Sequence, residues 1–211
     1  MDLSDPEKTL FHDAETGELT MHLPKAGFIA SGVDFDQLET YMKRFTQITT
    51  HLDDLVTGDD QLDDARAIFD WSWKSKPHRY ERGGSFKLTQ VIDAQLGESD
   101  NVGNCLGLTT LYNSITQAFH IPMTAAYIDD FQGYPHVFSI LYSGTEPIPI
   151  ENIYSEGFDF DVHRHNARIA VWKNLHLIAD IYNSRANEED NEEHRLKRDL
   201  LLSYILANET R

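Results

Sequence analysis

Gly103-Asn104-Cys105-Leu106-Gly107-Leu108-Thr109-Thr110-Leu111-Tyr112, continuing to Phe119-His120-Ile121-Pro122, is the stretch whose reading decides the fold of this chain. Leu108, Leu111, Tyr112, Ile115 and Phe119 recur at three- and four-residue steps. That spacing predicts a helix that starts at or beside Cys105, buries one face and is closed by Pro122. A helix N-terminus gathers unpaired N–H groups and partial positive charge, which favours a thiolate over a thiol. Gly103 and Gly107 flank the cysteine, and the expectation is that they leave the backbone open to an approaching carbonyl. Cys105 is the one cysteine of the chain, so an intramolecular disulfide and a two-cysteine zinc or redox pair are both excluded. Two uses remain open at this point: a small buried hydrophobe, or a nucleophile.

A catalytic thiol needs a base and a group that orients the base, and these are sought downstream. Met123 to Ile128, His136 to Tyr142 and Ile148 to Ile153 read as three sequential strands, with Ser143-Gly144-Thr145-Glu146 as the turn between the last two. A four-residue turn pairs Tyr142 with Pro147, so opposed residues sum to 289, the number this pair sets. His136 then faces Ile153 and Phe138 faces Glu151, which makes His136 and Glu151 diagonal neighbours on one face. Asn152 falls on the opposite face unless the register slips by one. The expected set is therefore Cys105 as nucleophile, His136 as base and Glu151 as orienting acid.

Upstream, Phe35, Leu38, Met42, Phe45, Ile48, Leu52 and Leu55 predict an amphipathic helix over about Asp34 to Val56. Asp59 or Asp60 can cap a second helix carrying Leu62, Ala65, Phe69 and Trp73. Leu88, Val91, Ile92 and Leu96 predict a third, after a glycine-rich loop. Leu10 to Leu23 reads as a peripheral hairpin about Glu15-Thr16-Gly17. From Arg168 onward Ile169, Trp172, Leu175, Ala179 and Tyr182, then Leu196, Leu200 and Tyr204, suggest a terminal helical hairpin that buries Trp172, Leu175 and Leu200. The plan is α+β, divided into an N-terminal extension over 1–33, a core over 34–165 and a helical hairpin over 166–211.

Eighteen Lys and Arg stand against 35 Asp and Glu, a net charge of −17. Such a surface repels phosphate backbones and anionic headgroups, so neither nucleic acid nor membrane is an expected partner. The N-terminus has no basic and apolar leader, and no apolar run approaches a membrane span, so a cytoplasmic protein is expected. No cofactor and no metal are expected. His163 and His165 alternate as ligands would but lack a third, and the acidic run Asp53, Asp54, Asp59, Asp60, Asp63, Asp64 lacks the glycine and terminal glutamate of a calcium loop. Trp71, Trp73 and Tyr80 read as core packing or as the aromatic wall of a cleft.

The stretch from Gly103 to Tyr112, followed by His120-Ile121-Pro122, resembles the nucleophile segment of the transglutaminase-like superfamily. In that family a Gly-x-Cys at a helix start is followed by Gly-Ile-Pro. His136-Val137-Phe138 and Pro149-Ile150-Glu151 resemble its His and Asp strands, and Ala65 to Tyr80 resembles the helix and aromatic that precede its nucleophile. The resemblance spans roughly residues 60 to 160 and departs from the family pattern in two places, Glu151 for Asp and His120 for Gly. It implies a papain-like core in which Cys105, His136 and Glu151 form a triad acting on a protein or peptide substrate. Leu177 to Arg185 is similar to the first helix of a tetratricopeptide repeat, which implies either a capping hairpin or a surface for a protein partner. The function expected is thiol-dependent acyl transfer or hydrolysis of an amide-type bond. Its rival is an inactive module of the same fold that holds a protein partner.

Overall fold

The computed structural model describes residues 2–143, 146–162 and 168–209. Its helices are α1 (Asp5–Ala14), α2 (Leu23–Ala30), α3 (Phe35–Thr50), α4 (Gln61–Ser75), α5 (Leu88–Leu96), α6 (Cys105–Ala118), α7 (Asn174–Glu189) and α8 (Glu192–Glu209). The strands are β1 (Met123–Phe131), β2 (Tyr134–Ser143), β3 (Glu146–Ile150) and β4 (Ile169–Trp172), in the antiparallel order β3-β2-β1-β4. The chain is thus mixed α+β.

Helix α6 is the hub. Every residue from Leu106 to Thr116 is buried, which is the signature of a core helix rather than a surface one. Its apolar face meets the sheet and α2, α4 and α5, and two of its small polar side chains bond back into the helix: Ser114 donates to the Thr110 carbonyl and Thr116 to that of Tyr112. The Tyr112 hydroxyl, buried with its ring, donates to the Ala65 carbonyl of α4 at 2.8 Å. The buried apolar residues form one cluster from Leu10 to Ile205, drawing on all three expected segments of the chain.

The register of β2 with β3 is the one expected, with Tyr142 opposite Pro147 and Ser139 opposite Ile150. The strand expected to reach Ile153 nevertheless ends at Ile150, so Glu151 and Ile153 lie in the turn that follows and do not pair with Phe138 and His136. Gly144 and Thr145 of the turn, and His163 and His165, lie outside the described residues. Between β1 and β2 a two-residue turn, Gln132-Gly133, holds both residues at positive φ, +56° and +87°. This is the hairpin turn whose twist matches its strands, and it delivers His136 opposite Ile128.

Two expectations are corrected at the ends. The hairpin expected over 10–23 is instead the end of α1, a turn over 15–22 and the start of α2. Ser4 and Glu7 form a reciprocal capping box and Pro6 sits in the first turn, so α1 starts there and buries Pro6, Leu10, Phe11 and Ala14. Gly17, at φ +78°, turns the chain after α1 rather than between strands. Helix α2 is almost wholly buried, so this segment belongs to the core and not to its periphery. At the other end Ile169 and Trp172 lie not in a helix but in β4, paired with β1, and the helical hairpin begins only at Asn174. Leu175 is buried as expected, whereas Trp172 and Leu200 are half-buried. Trp172 stacks its ring on Tyr127 at 4.6 Å, covering the sheet edge.

Candidate functional site

Asn104 is the N-cap of α6: its side chain accepts from the Gly107 amide at 3.0 Å, and its own amide donates to the Ser85 carbonyl. Cys105 is therefore the first helical residue. Among the described residues, the amides of Cys105 and Leu106 have no carbonyl or side-chain acceptor, as the first turn of a helix requires. Cys105 is half-buried and opens on a cleft of about 430 Å³ between the start of α6, the β1–β2 hairpin and α7.

The structure gives Gly103 and Gly107 a different purpose from the one expected. A Cβ at either would stand 2.6 or 2.4 Å from the Ser85 carbonyl oxygen, so both glycines let the loop before α5 pack against the start of α6. That loop fixes Asn104, and through it the cysteine.

His136, on β2, also lines the cleft and is buried, as is Glu151. Its Nε2 lies 2.6 Å from Glu151 Oε2, and Glu151 Oε1 accepts from the Ile153 amide at 3.2 Å. Cys105 lines the same cleft and acts on the His136 ring electrostatically. Burial alone pulls an imidazolium pKa down. Here the hydrogen bonds from Cys105 and Glu151 and the Glu151 charge outweigh it, raising His136 to about 9. Phe131 stacks on the imidazole at 4.5 Å and fixes its plane.

Asn152, in the turn after β3, points away from His136. Its Nδ2 donates to Ser139 Oγ at 2.8 Å and Thr109 Oγ1 at 3.2 Å, tying the segment after β3 to α6. The Glu151 backbone is held by Gly157, whose carbonyl accepts the Glu151 amide at 2.8 Å. A Cβ on Gly157 would stand 2.0 Å from the Glu151 carbonyl oxygen, so this close approach demands glycine.

Of the aromatics weighed as a cleft wall, Tyr80 lines the cleft, whereas Trp73 packs on Phe69 and Trp71 borders a separate groove. The acidic run between α3 and α4 serves the backbone. Asp60 caps α4, and Asp64, buried rather than solvated, accepts from the Thr57 and Gly58 amides. Among the described residues no group of three or more His, Cys, Asp or Glu is placed to hold a metal, and no helix is long and apolar enough to cross a membrane. Sequence reasoning missed Arg82, Tyr127 and Asp180, which also line the cleft. They come from distant segments, and only the folded packing brings them together.

The arrangement contains a thiol at a helix start with two unpaired amides beside it, and in the same cleft a buried imidazole whose Nε2 is held by a carboxylate. Such a set can generate a thiolate, attack a carbonyl and hold the resulting oxyanion. Comparison of the chain with protein-family models, with curated proteins and with solved structures finds no match.

Proposed function

We propose that this protein is a cysteine-nucleophile hydrolase or acyltransferase of the transglutaminase-like kind, with a papain-like core and Cys105, His136 and Glu151 as its triad. The observation that carries the reading is the buried His136–Glu151 contact of 2.6 Å at the wall of the cleft that Cys105 opens on. His136 takes the thiol proton through Nδ1, and the thiolate attacks the carbonyl carbon of a peptide or side-chain amide. The amides of Cys105 and Leu106 hold the oxyanion. His136 then gives its proton to the leaving nitrogen as the C–N bond breaks, leaving a thioester on Cys105. Water or an amine adds to the thioester, surrenders a proton to His136 and releases the acyl group, restoring the thiol.

An acyl donor that demands no specificity tests this. With p-nitrophenyl acetate, a burst of p-nitrophenolate equal to one per chain is expected, with an acetyl increment on Cys105 in the intact mass. Cys105→Ser should abolish both. Acetylation of the folded chain no faster than that of the urea-unfolded chain would contradict the reading and favour the inactive interaction module.

A further inference from the structure

Helix α7 turns Asp180, Asn183 and Ser184, three and four residues apart and so on one face, toward the cleft of Cys105 and His136. The neighbouring Leu177, Ile178, Ile181 and Tyr182 are spent on the core. Asp180 is half-buried, and burial raises its pKa above the ordinary carboxylate value. Its carboxylate takes a hydrogen bond from Asn183 Nδ2 at 3.2 Å, and among the described residues no basic side chain stands within ion-pair distance of it. Arg198, whose charge reaches it, is committed elsewhere, to Asn183 Oδ1 at 2.7 Å and to Asp199 at 2.7 Å. Among the described residues the one guanidinium that lines the cleft, that of Arg82, sits over the Tyr134 ring at 3.8 Å.

Tyr127 completes the picture. It lines the same cleft, is fixed by its stack on Trp172, and feels the Asp180 charge, which raises its pKa after burial does. An aromatic face beside a poorly solvated carboxylate suits a cation, which gains from the ring quadrupole and relieves the unpaired charge. The net charge of −17 draws cations to the surface from which that cleft opens.

We propose that Asp180, with the Tyr127 ring, is the specificity site of the cleft and holds the ammonium or guanidinium of a basic residue in the peptide presented to Cys105. This rests on Cys105 being the nucleophile. It makes Asp180 a binding residue and gives it no part in the bond-breaking steps.

The test uses iodoacetamides carrying an ω-aminoalkyl chain of graded length on nitrogen, against uncharged N-alkyl reagents of matched length. Each alkylates Cys105 by displacing iodide. For the wild type, the amino reagent of best length should react about fivefold faster than its uncharged match, as one partly screened charge pair allows. Asp180→Asn should erase that advantage, read as the ratio of the amino to the uncharged rate within the same variant. Asp199→Asn, at a neighbouring carboxylate outside the cleft, should keep it. An advantage equal in Asp180→Asn and wild type overturns the proposal. A second readout does not use sulfur: N-acetyl-lysine methylamide should shift the backbone amide resonances of Asp180 and Asn183 in the wild type and not in Asp180→Asn. Absence of that shift in the wild type also overturns the cation site. If instead plain iodoacetamide reacts no faster with the folded than with the unfolded chain, it is the nucleophile that has failed.

Discussion

Two buried carboxylates meet cationic partners in this molecule, and they are used differently. Glu7, at the start of α1, has both oxygens filled: Oε1 accepts from the Tyr182 hydroxyl at 3.0 Å, and Oε2 from Lys197 Nζ at 3.0 Å and the Ser4 amide at 3.0 Å. Although burial opposes ionisation, these partners hold its pKa below the usual value. The cluster joins α1, α7 and α8 with no group left over. Glu151 is filled as well, but its partner His136 keeps a second ring nitrogen and lines a cavity together with Cys105. A saturated pair fastens elements together, whereas a pair with one unspent atom at a cleft can move a proton. The same physics of burial and pairing underlies both.

The comparison breaks most visibly if Lys197 is removed. Lys197→Ala strands Glu7 in the interior and should cost about 3–5 kcal/mol, lowering the melting temperature by roughly 10 °C. The iodoacetamide rate of the chain that remains folded should not change. His136→Ala strands Glu151 and should cost stability of similar order, so the rate on Cys105, not the melting temperature, separates the two pairs.

The pairs should also differ in pH. His136 is raised from 6.5 to about 9, so its stabilising contribution is full below pH 6.5 and is lost as pH rises through 9. Denaturant titrations should show wild type losing on the order of 1–3 kcal/mol across that window and His136→Gln losing clearly less. His176 and His194, lowered first by burial, titrate below the window. A wild type as stable at pH 9.5 as at pH 6.5 would contradict the assignment.

Gly157→Ala sharpens the comparison on the cleft side. The added Cβ must push the Glu151 backbone away, so a loss of about 1–3 kcal/mol is expected, together with slower alkylation of Cys105. A stability loss with no change in rate would mean that the placement of Glu151 is immaterial to the thiol. Glu151→Gln, which keeps the shape but removes the charge holding the imidazolium, should slow alkylation at pH 7 about tenfold.

Much of the cleft was legible in the sequence because it is local. Asn104 and Cys105 at the start of an apolar helix, and a four-residue turn that pairs Tyr142 with Pro147, are short-range features. The expected contact of His136 with Glu151 forms, although Glu151 and Asn152 lie in the turn after Ile150 and not in the strand that was expected to carry them. The ends were misread for physical reasons. Ile169 and Trp172 are three apart, a helical step, yet they form an edge strand because β1 offers a free edge more than forty residues upstream. The Ser4–Glu7 capping box was a readable signal for α1, masked by the β-prone residues that follow. Gly103 and Gly107 stood out, but their reason, the Ser85 carbonyl, belongs to packing and not to spacing. Asp180 carried no local mark at all. It gains significance only when α7 docks against β1 and brings a carboxylate to a cleft whose thiol lies 75 positions away in the chain.

The central claim is that His136 activates Cys105, and the rate of iodoacetamide alkylation across pH 5 to 10 tests it directly, since the chain has no second cysteine. A wild type with the imidazolium at Cys105 should hold a sustained rate from neutral pH downward into the range where a free thiol, with a pKa of about 8.5, has nearly ceased to react. His136→Ala, still folded, should fall to free-thiol behaviour, with the rate rising only in alkaline solution. Identical profiles for the two proteins would contradict the account.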